Sequence, residues 1–297
     1  MAWSQIVADA REAVKRAMIP AMSPGPVDPQ PFAVGRTAEV YGAGDGEVLK
    51  VLRPGLPEED AAFEAELAGI VDRLGVPAPR FLGLERHDGR PALRYERLDG
   101  PSMLDRLLAH PWEADRLAVE LAGVHAEILE RDGTGLPDLF VYLDRKLSRA
   151  RPILGKERAS AVRERMKTLR RGSALGHGDL HPLNVLLTSR GPVAIDWEAA
   201  CFGPPEADIA RTLFLLLESD AGAIPWYRRP VVFFIRRRFA VRYFHELERR
   251  RPIDRAELVR WRLPILAARL AEDIEVERSA LLARIDAELD AAAFSGR

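Results

Sequence analysis

His177-Gly178-Asp179-Leu180-His181-Pro182-Leu183-Asn184, followed by Val193-Ala194-Ile195-Asp196-Trp197-Glu198, is the stretch that decides the fold. Asp179, Asn184 and Asp196 are hard oxygen donors that lie close together in the sequence. Between them, Asn184 to Ile195 reads as a short β segment bent at Ser189-Arg190-Gly191. If its arms pair around the turn from Thr188 to Gly191, Leu187 faces Pro192 and Asn184 faces Ile195, which sets Asp196 beside Asn184. An amide oxygen and a carboxylate so placed suit magnesium, which binds through one or two carboxylates and completes its shell with phosphates and water. Asp179 falls on a turn just before Asn184, where a carboxylate can take the proton of an attacking hydroxyl.

Upstream, from Phe32 to about Arg97, the signals are strand and turn. Thr37 to Tyr41, the turn at Gly44-Asp45-Gly46 and the run Glu47 to Leu52 read as a hairpin. Pro57 to Leu74 reads as a helix with an apolar face of Phe63, Leu67, Ile70, Val71 and Leu74, ended by Gly75 and Pro77. Phe81 to Leu84 and Pro91 to Arg97 read as two further strands. Beyond Gly100-Pro101 the pattern turns helical, over Ser102 to Ala109, Ala114 to Arg131, Pro137 to Ala150, Lys156 to Arg171 and several segments after Pro205. At the other end, Trp3, Ile6, Val7, Ala10, Val14 and Met18 keep helical spacing ahead of the Pro-rich stretch Pro20 to Pro31. The expected architecture is α+β: residues 1–31 as a helix and linker, 32–97 as a small antiparallel sheet with one helix, and 98–297 as a larger, mainly helical lobe. A cleft between two such lobes is where ligands bind.

The HGDLHPLN motif with AIDWE resembles the kinase-like aminoglycoside and choline phosphotransferase superfamily, whose signature is H-G-D, then Asn, then a strand-borne Asp. The resemblance spans about Val34 to Leu217. It implies a bilobal protein-kinase-like fold and transfer of the terminal phosphoryl group of ATP, with GTP as the alternative, onto a hydroxyl of a small molecule with magnesium's help. It assigns Asp179 as catalytic base, Asn184 and Asp196 as magnesium ligands, and His177 as a support of the catalytic loop. Leu183 stands where many relatives have Gly. Lys50, in Glu47-Val48-Leu49-Lys50-Val51, resembles the family lysine that contacts the α- and β-phosphates. Counting back from Pro77-Ala78-Pro79, its carboxylate partner is Glu64, with Glu66 as the alternative. Gly35-Arg36-Thr37-Ala38-Glu39-Val40-Tyr41 resembles the nucleotide-covering loop without a full G-x-G-x-x-G; Gly35 and the backbone N–H groups of Thr37 and Ala38 would approach the phosphates. Tyr95-Glu96-Arg97-Leu98 would be the hinge, its backbone at Glu96 and Leu98 meeting the purine. Asp208, near the start of the following helix, would hold the catalytic loop from behind.

Composition narrows the alternatives. Lys plus Arg number 44 against 45 Asp plus Glu, a net charge of -1 that gives no global pull toward nucleic acid or an anionic membrane. Cys201 is the lone cysteine, no apolar run approaches a bilayer span, and Asp9, Arg11, Glu12, Lys15 and Arg16 interrupt what a signal peptide would need. A cytoplasmic protein is expected. A rival reading makes His177, Asp179 and His181 transition-metal ligands of a hydrolase, but leaves Lys50, Glu64 and Asn184 unexplained. A non-catalytic pseudokinase would lack one of the lysine, base or metal positions, and all are present here.

The acceptor is less legible. Residues 221–262 carry twelve Arg against four Asp or Glu, which reads as solvated helix surface or as room for a neutral or anionic acceptor. Glu198, Glu218, Asp220, Asp273, Glu275 and Glu277 could instead supply a site for a polycation. Trp226, Tyr227, Phe233, Phe234, Tyr243 and Trp261 read as helix core. Antibiotic inactivation is the leading expectation, with a sugar, amino-alcohol or nucleoside kinase as the alternative.

Overall fold

Leu49 and Val51 alternate with Lys50 along one strand, and that parity decides which side of a sheet each side chain faces. In the structure, a computed structural model describing residues 27–35, 37–44, 46–218 and 229–295, Leu49 and Val51 pack with Tyr41, Ala43 and Ala92 on one face. Leu52, two residues on from Lys50, packs with Ala61, Ala65 and Leu93 on the other face, which a helix covers. The expected N-terminal helix from Trp3 to Met18, most of the linker, Arg36, Asp45, Asp220, Trp226 and Tyr227 lie outside the described residues.

The chain divides into two compact units, Met1–Pro101 with Leu186–Glu198, and Ser102–Val185 with Ala199–Arg297. The first holds a five-stranded antiparallel sheet: β1 (Ala33–Val34), β2 (Ala38–Gly42), β3 (Glu47–Leu52), β4 (Phe81–His87) and β5 (Arg90–Glu96), in the order β1-β2-β3-β5-β4. Helix α1 (Glu58–Leu74) opens with Glu58, Glu59 and Asp60, which favour the positive end of the helix dipole, and ends at Gly75 with φ 63°. Its buried face is the expected one only at Leu67 and Val71. Ala61, Ala65, Leu67, Ala68 and Val71 turn inward, while Phe63, Ile70 and Leu74 are only half-buried; the small alanines let the helix backbone approach the sheet closely.

The segment 186–198 joins this unit through backbone hydrogen bonds. Leu187 N–H donates to Pro101 O at 2.9 Å, and Ala194 N–H donates to Pro77 O at 2.8 Å. Gly100, at φ 148°, has room for no side chain, since a Cβ would lie 2.1 Å from Leu187 O.

The second unit is mainly helical: α2 (Met103–Ala109), α3 (Ala114–Leu129), α4 (Leu139–Leu154), α5 (Lys156–Lys167), α6 (Pro205–Leu217), α7 (Arg229–Arg250), α8 (Arg255–Arg269) and α9 (Glu275–Ser295). Ser102, Asp138 and Asp254 cap α2, α4 and α8 by accepting backbone N–H bonds in the first turn. Two elements escape the sequence reading. Strand β6 (Ala174–Gly176) pairs antiparallel with a later three-residue strand, Cys201–Gly203. Such short segments carry too little alternation to register as strands. Helix α4 also runs past the expected end at Ala150 to Leu154, taking in Pro152, which has no N–H to donate to the carbonyl four residues back and stands two residues before the helix ends.

Tyr243, Trp261 and Phe239 are fully buried, as expected for the first two. Phe233 and Phe234, in the first two turns of α7, are exposed instead. Much of the arginine excess is spent on ion pairs: Arg238 binds Asp115, Arg255 binds Glu248, Arg260 binds Glu257, and Arg262 binds Glu218 and Glu288. Among the described residues, no helix is long and apolar enough to cross a membrane.

Candidate active site

Strand parity points Lys50 at α1, and the second turn of α1 answers with a carboxylate. Lys50 Nζ donates to Glu64 Oε1 at 2.7 Å, while Glu66 lies on the exposed side of the helix. Two further carboxylates come from the segment after the hairpin of β7 (Val185–Thr188) and β8 (Gly191–Ala194): Glu198 Oε1 accepts from Lys50 at 2.5 Å, and Asp196 Oδ1 lies 3.5 Å away. Asp196 and Glu198 are two residues apart and reach the same ammonium; Trp197 between them is buried and donates Nε1–H to Ala194 O at 3.0 Å. Asp196 is not borne on the strand as expected. It stands two residues beyond β8 with φ 65°, a left-handed backbone that costs a non-glycine residue roughly 1 kcal/mol or more and that clusters at functional sites.

One ammonium against three carboxylates leaves this cluster two charges negative. Burial opposes the charge of Lys50, but Glu64, Asp196 and Glu198 together hold it protonated far above the usual lysine range. Burial pushes the Glu64 carboxyl up, and repulsion from Glu198 and Asp196 offsets part of what Lys50 returns.

In the second unit, Asp208 on α6 organises the H-G-D loop. Its carboxylate accepts from His177 N–H at 2.8 Å, from Gly178 N–H at 2.8 Å and from His125 Nε2 at 3.1 Å; His125 Nδ1 meets the Tyr243 hydroxyl at 2.5 Å. Burial raises the Asp208 carboxyl, yet the hydrogen bond and charge of His125 bring it below the ordinary value. Gly178 has φ 77°, and a Cβ there would sit 2.3 Å from Ala199 O, so the loop requires glycine at this point.

Asp179 follows, one-third exposed. Its Oδ1 accepts from Arg211 Nη2 at 2.8 Å, and its Oδ2 from Asn184 Nδ2 at 3.3 Å. Asn184 Nδ2 also donates to Asp179 O at 3.0 Å, which leaves the Asn184 amide oxygen for another partner. Asn184 closes a 3₁₀ turn, Pro182–Asn184, and not a strand as expected. Burial raises Asp179, but His181, Arg211 and His177 pull it well below the usual carboxylate range.

Of the remaining expected residues, Gly35 N–H donates to Ala38 O at 2.8 Å across the β1–β2 turn, Thr37 Oγ1 donates to Glu198 Oε1 at 3.4 Å, and Ala38 is buried in β2. Glu96 ends β5; its N–H donates to Arg80 O and Arg97 N–H donates to Gly46 O, so Glu96 can offer a ligand only its carbonyl. Leu98 lies half-buried just past the strand. His177 is fully buried with Nδ1 facing Asp179 N–H at 3.3 Å, and His181 Nδ1 accepts from Leu183 N–H at 3.3 Å, so these imidazoles are turned toward the loop's own backbone. No three His, Cys, Asp or Glu converge as a metal set among the described residues.

Sequence reasoning missed Glu198 as a partner of Lys50, and it missed His125 and Arg211 entirely. The two-residue offset of Glu198 from Asp196 was the available signal. His125 and Arg211 lie on helices whose relation to the loop no local pattern reveals.

Residues 28–253 match the model of the phosphotransferase enzyme family, and the chain belongs to that family. It is a small-molecule phosphotransferase with a protein-kinase-like α+β fold. Among solved structures, the GDP and kanamycin complex of APH(2")-IIia is 17% identical, covers 97% of this chain and 99% of its own, and superposes with a TM-score of 0.55. The streptomycin and ATP ternary complex of APH(2")-IIa is 15% identical over 95% of both chains, with a TM-score of 0.55. A choline/ethanolamine kinase family protein from Mesorhizobium loti is 17% identical over 96% of this chain and 94% of its own, with a TM-score of 0.51. No curated protein matches the sequence.

Proposed function

We propose that the protein transfers the γ-phosphoryl group of ATP, or of GTP, to a hydroxyl of a small molecule in the cytoplasm. The observation that carries this reading is the Lys50–Glu64 ion pair at 2.7 Å with Asp196 and Glu198 around the same ammonium. A lysine locked in its charged form suits phosphate oxygens, and the surplus negative charge around it suits a divalent cation.

Magnesium fits the donors present: Asp196 and the spare amide oxygen of Asn184 are hard ligands, and two such groups leave coordination places for phosphate and water. When bound, the ion neutralises charge on the transferring phosphate. Lys50 would draw on the α- and β-phosphates, Gly35, Thr37 and Ala38 would cover them, and the Glu96 carbonyl with the Leu98 N–H would meet the purine. Asp179 would orient the acceptor hydroxyl. The acceptor oxygen forms the new bond to the γ-phosphorus, the bond to the β–γ bridging oxygen breaks, and the hydroxyl proton passes to Asp179. The products are a phosphomonoester and a nucleoside diphosphate. Most of the rate gain would come from positioning and charge stabilisation.

The acceptor we favour is an aminoglycoside, which would make the protein an antibiotic-resistance enzyme; the kanamycin and streptomycin complexes among its structural neighbours support this reading. The choline/ethanolamine kinase family neighbour supports a metabolite acceptor such as an amino-alcohol, sugar or nucleoside instead. Incubation with Mg-ATP and a mixed library of antibiotics and metabolites, read by mass spectrometry for a phosphate-sized gain, tests the reaction and the acceptor together. Asp179→Ala should abolish that gain while nucleotide affinity stays nearly intact, and retained turnover would refute the role of Asp179.

A further inference from the structure

Arg211 carries a task that the nucleotide and metal chemistry leaves unassigned. It lies on α6 three residues after Asp208, so one helix face presents Asp208 to the loop backbone and Arg211 to the loop carboxylate. Arg211 Nη2 donates to Asp179 Oδ1 at 2.8 Å and to Glu272 Oε1 at 2.9 Å, while Nε donates to Gly178 O at 3.2 Å. Glu272 is held in turn by Lys146 at 3.2 Å and by Arg269, whose Nε reaches Glu277 at 2.7 Å. The Arg211 side chain is 12% exposed, and its planar fork is fixed at both ends.

The two oxygens of Asp179 are therefore unlike. Oδ1 sits in a short charge-assisted bond with Arg211, whereas Oδ2 has longer partners, Asn184 Nδ2 at 3.3 Å and His181 Nε2 at 3.5 Å. We propose that Arg211 is a positioning residue for phosphoryl transfer: aimed by Glu272, it fixes Asp179 through Oδ1 so that Oδ2 is the oxygen presented to the acceptor hydroxyl. The inference rests on the phosphotransferase reading above. It assigns the Arg211–Glu272 pair a part in turnover and none in nucleotide binding.

The full-length chain with Mg-ATP, water as acceptor and ADP release as the readout tests this, alongside ADP binding by calorimetry. Arg211→Met lowers kcat by about 30-fold while KM for ATP and Kd for ADP stay within about twofold, since a misplaced carboxylate loses rate and not affinity. Arg211→Lys, which keeps the charge without the fork, recovers only part of the loss. In an Asp179→Asn background, Arg211→Met costs less than about a further twofold, because the residue it positions is already disabled. Full kcat in folded Arg211→Met, or an undiminished loss in the Asp179→Asn background, overturns the inference while leaving the phosphotransferase reading intact. Should Arg211→Met fail to fold, Glu272→Gln carries the test, with a loss of about fivefold in kcat expected and an unchanged kcat overturning the proposal. A parent chain that gives no phosphate-sized gain on any acceptor of the antibiotic and metabolite library, and releases no ADP with any of them, overturns the phosphotransferase reading itself, and the inference with it.

Discussion

Glu198 holds the Lys50 ammonium at 2.5 Å, a shorter separation than the 2.7 Å of Glu64 on the same group. The lysine is thus already satisfied by protein carboxylates, and any phosphate that engages it must compete with them. Glu198 is the more exposed of the two and comes from an irregular segment, so it is the one expected to yield. Glu198→Gln should therefore tighten ADP binding measured without magnesium by about three- to tenfold, the effect of removing one competing charge in a partly screened site. Weaker binding in the variant would show that Glu198 assists the ligand instead of displacing it.

Lys50→Met isolates the opposite side of the same balance. Glu64, Asp196 and Glu198 would lose their common cation, and leaving a half-buried carboxylate unpaired costs about 2–4 kcal/mol near neutral pH. The sign with pH follows from Glu64, whose carboxyl burial already pushes up. A raised folded value means stability is full below the unfolded pKa of 4.5 and is lost as pH rises through the folded value. The Tm deficit of the variant should shrink on acidification toward pH 5, measured by thermal melts across a pH series.

Asp208→Asn tests the buried carboxylate behind the H-G-D loop. An amide cannot serve His177 N–H, Gly178 N–H and His125 together without turning a donor on a donor, and we expect a loss of about 3 kcal/mol. Because the Asp208 carboxyl lies below its ordinary value of 3.8, its contribution is full above that pH and fades as pH falls through the lower folded value. Melting curves of parent and variant should therefore converge only in strong acid. A gap that closes already near pH 6 would contradict the assignment.

Asp196→Gly separates strain from chemistry. Glycine adopts the left-handed backbone of position 196 without cost, so Tm should hold or rise, by up to about 1 kcal/mol in stability. Phosphoryl transfer should nonetheless fall by at least about a hundredfold, since one hard oxygen ligand is gone. A parallel loss of Tm and activity would mean that Asp196 is chiefly structural.

What the sequence made legible was whatever repeats locally. The run Glu47 to Leu52 read as a strand bearing Lys50, and counting back from Pro77-Ala78-Pro79 chose Glu64 over Glu66 as its partner, the carboxylate that Lys50 meets at 2.7 Å. The H-G-D motif and the position of Asp208 likewise described a loop and its anchor. The bounds of α1 were legible, but its buried face departed from the expected one where side-chain size, and not polarity, set the packing: α1 buries three alanines in place of Phe63 and Ile70. The left-handed turn at Asp196 and the short pair of strands at Ala174 and Cys201 leave no periodic trace. Glu272 reaches Arg211 across a long sequence separation, and only tertiary structure brings such partners together.

The assignment of residues 186–198 to the first unit has a consequence for how the molecule is made. A ribosome that has released only the first hundred residues has delivered Lys50 and Glu64 but neither Asp196 nor Glu198, so the lysine's coordination is finished only after most of the helical unit's first half has emerged. A truncated fragment ending at Pro101 should accordingly leave Pro77 O and Pro101 O without the amides of Ala194 and Leu187. Any attempt to graft the β-rich unit onto another scaffold must carry the later hairpin with it.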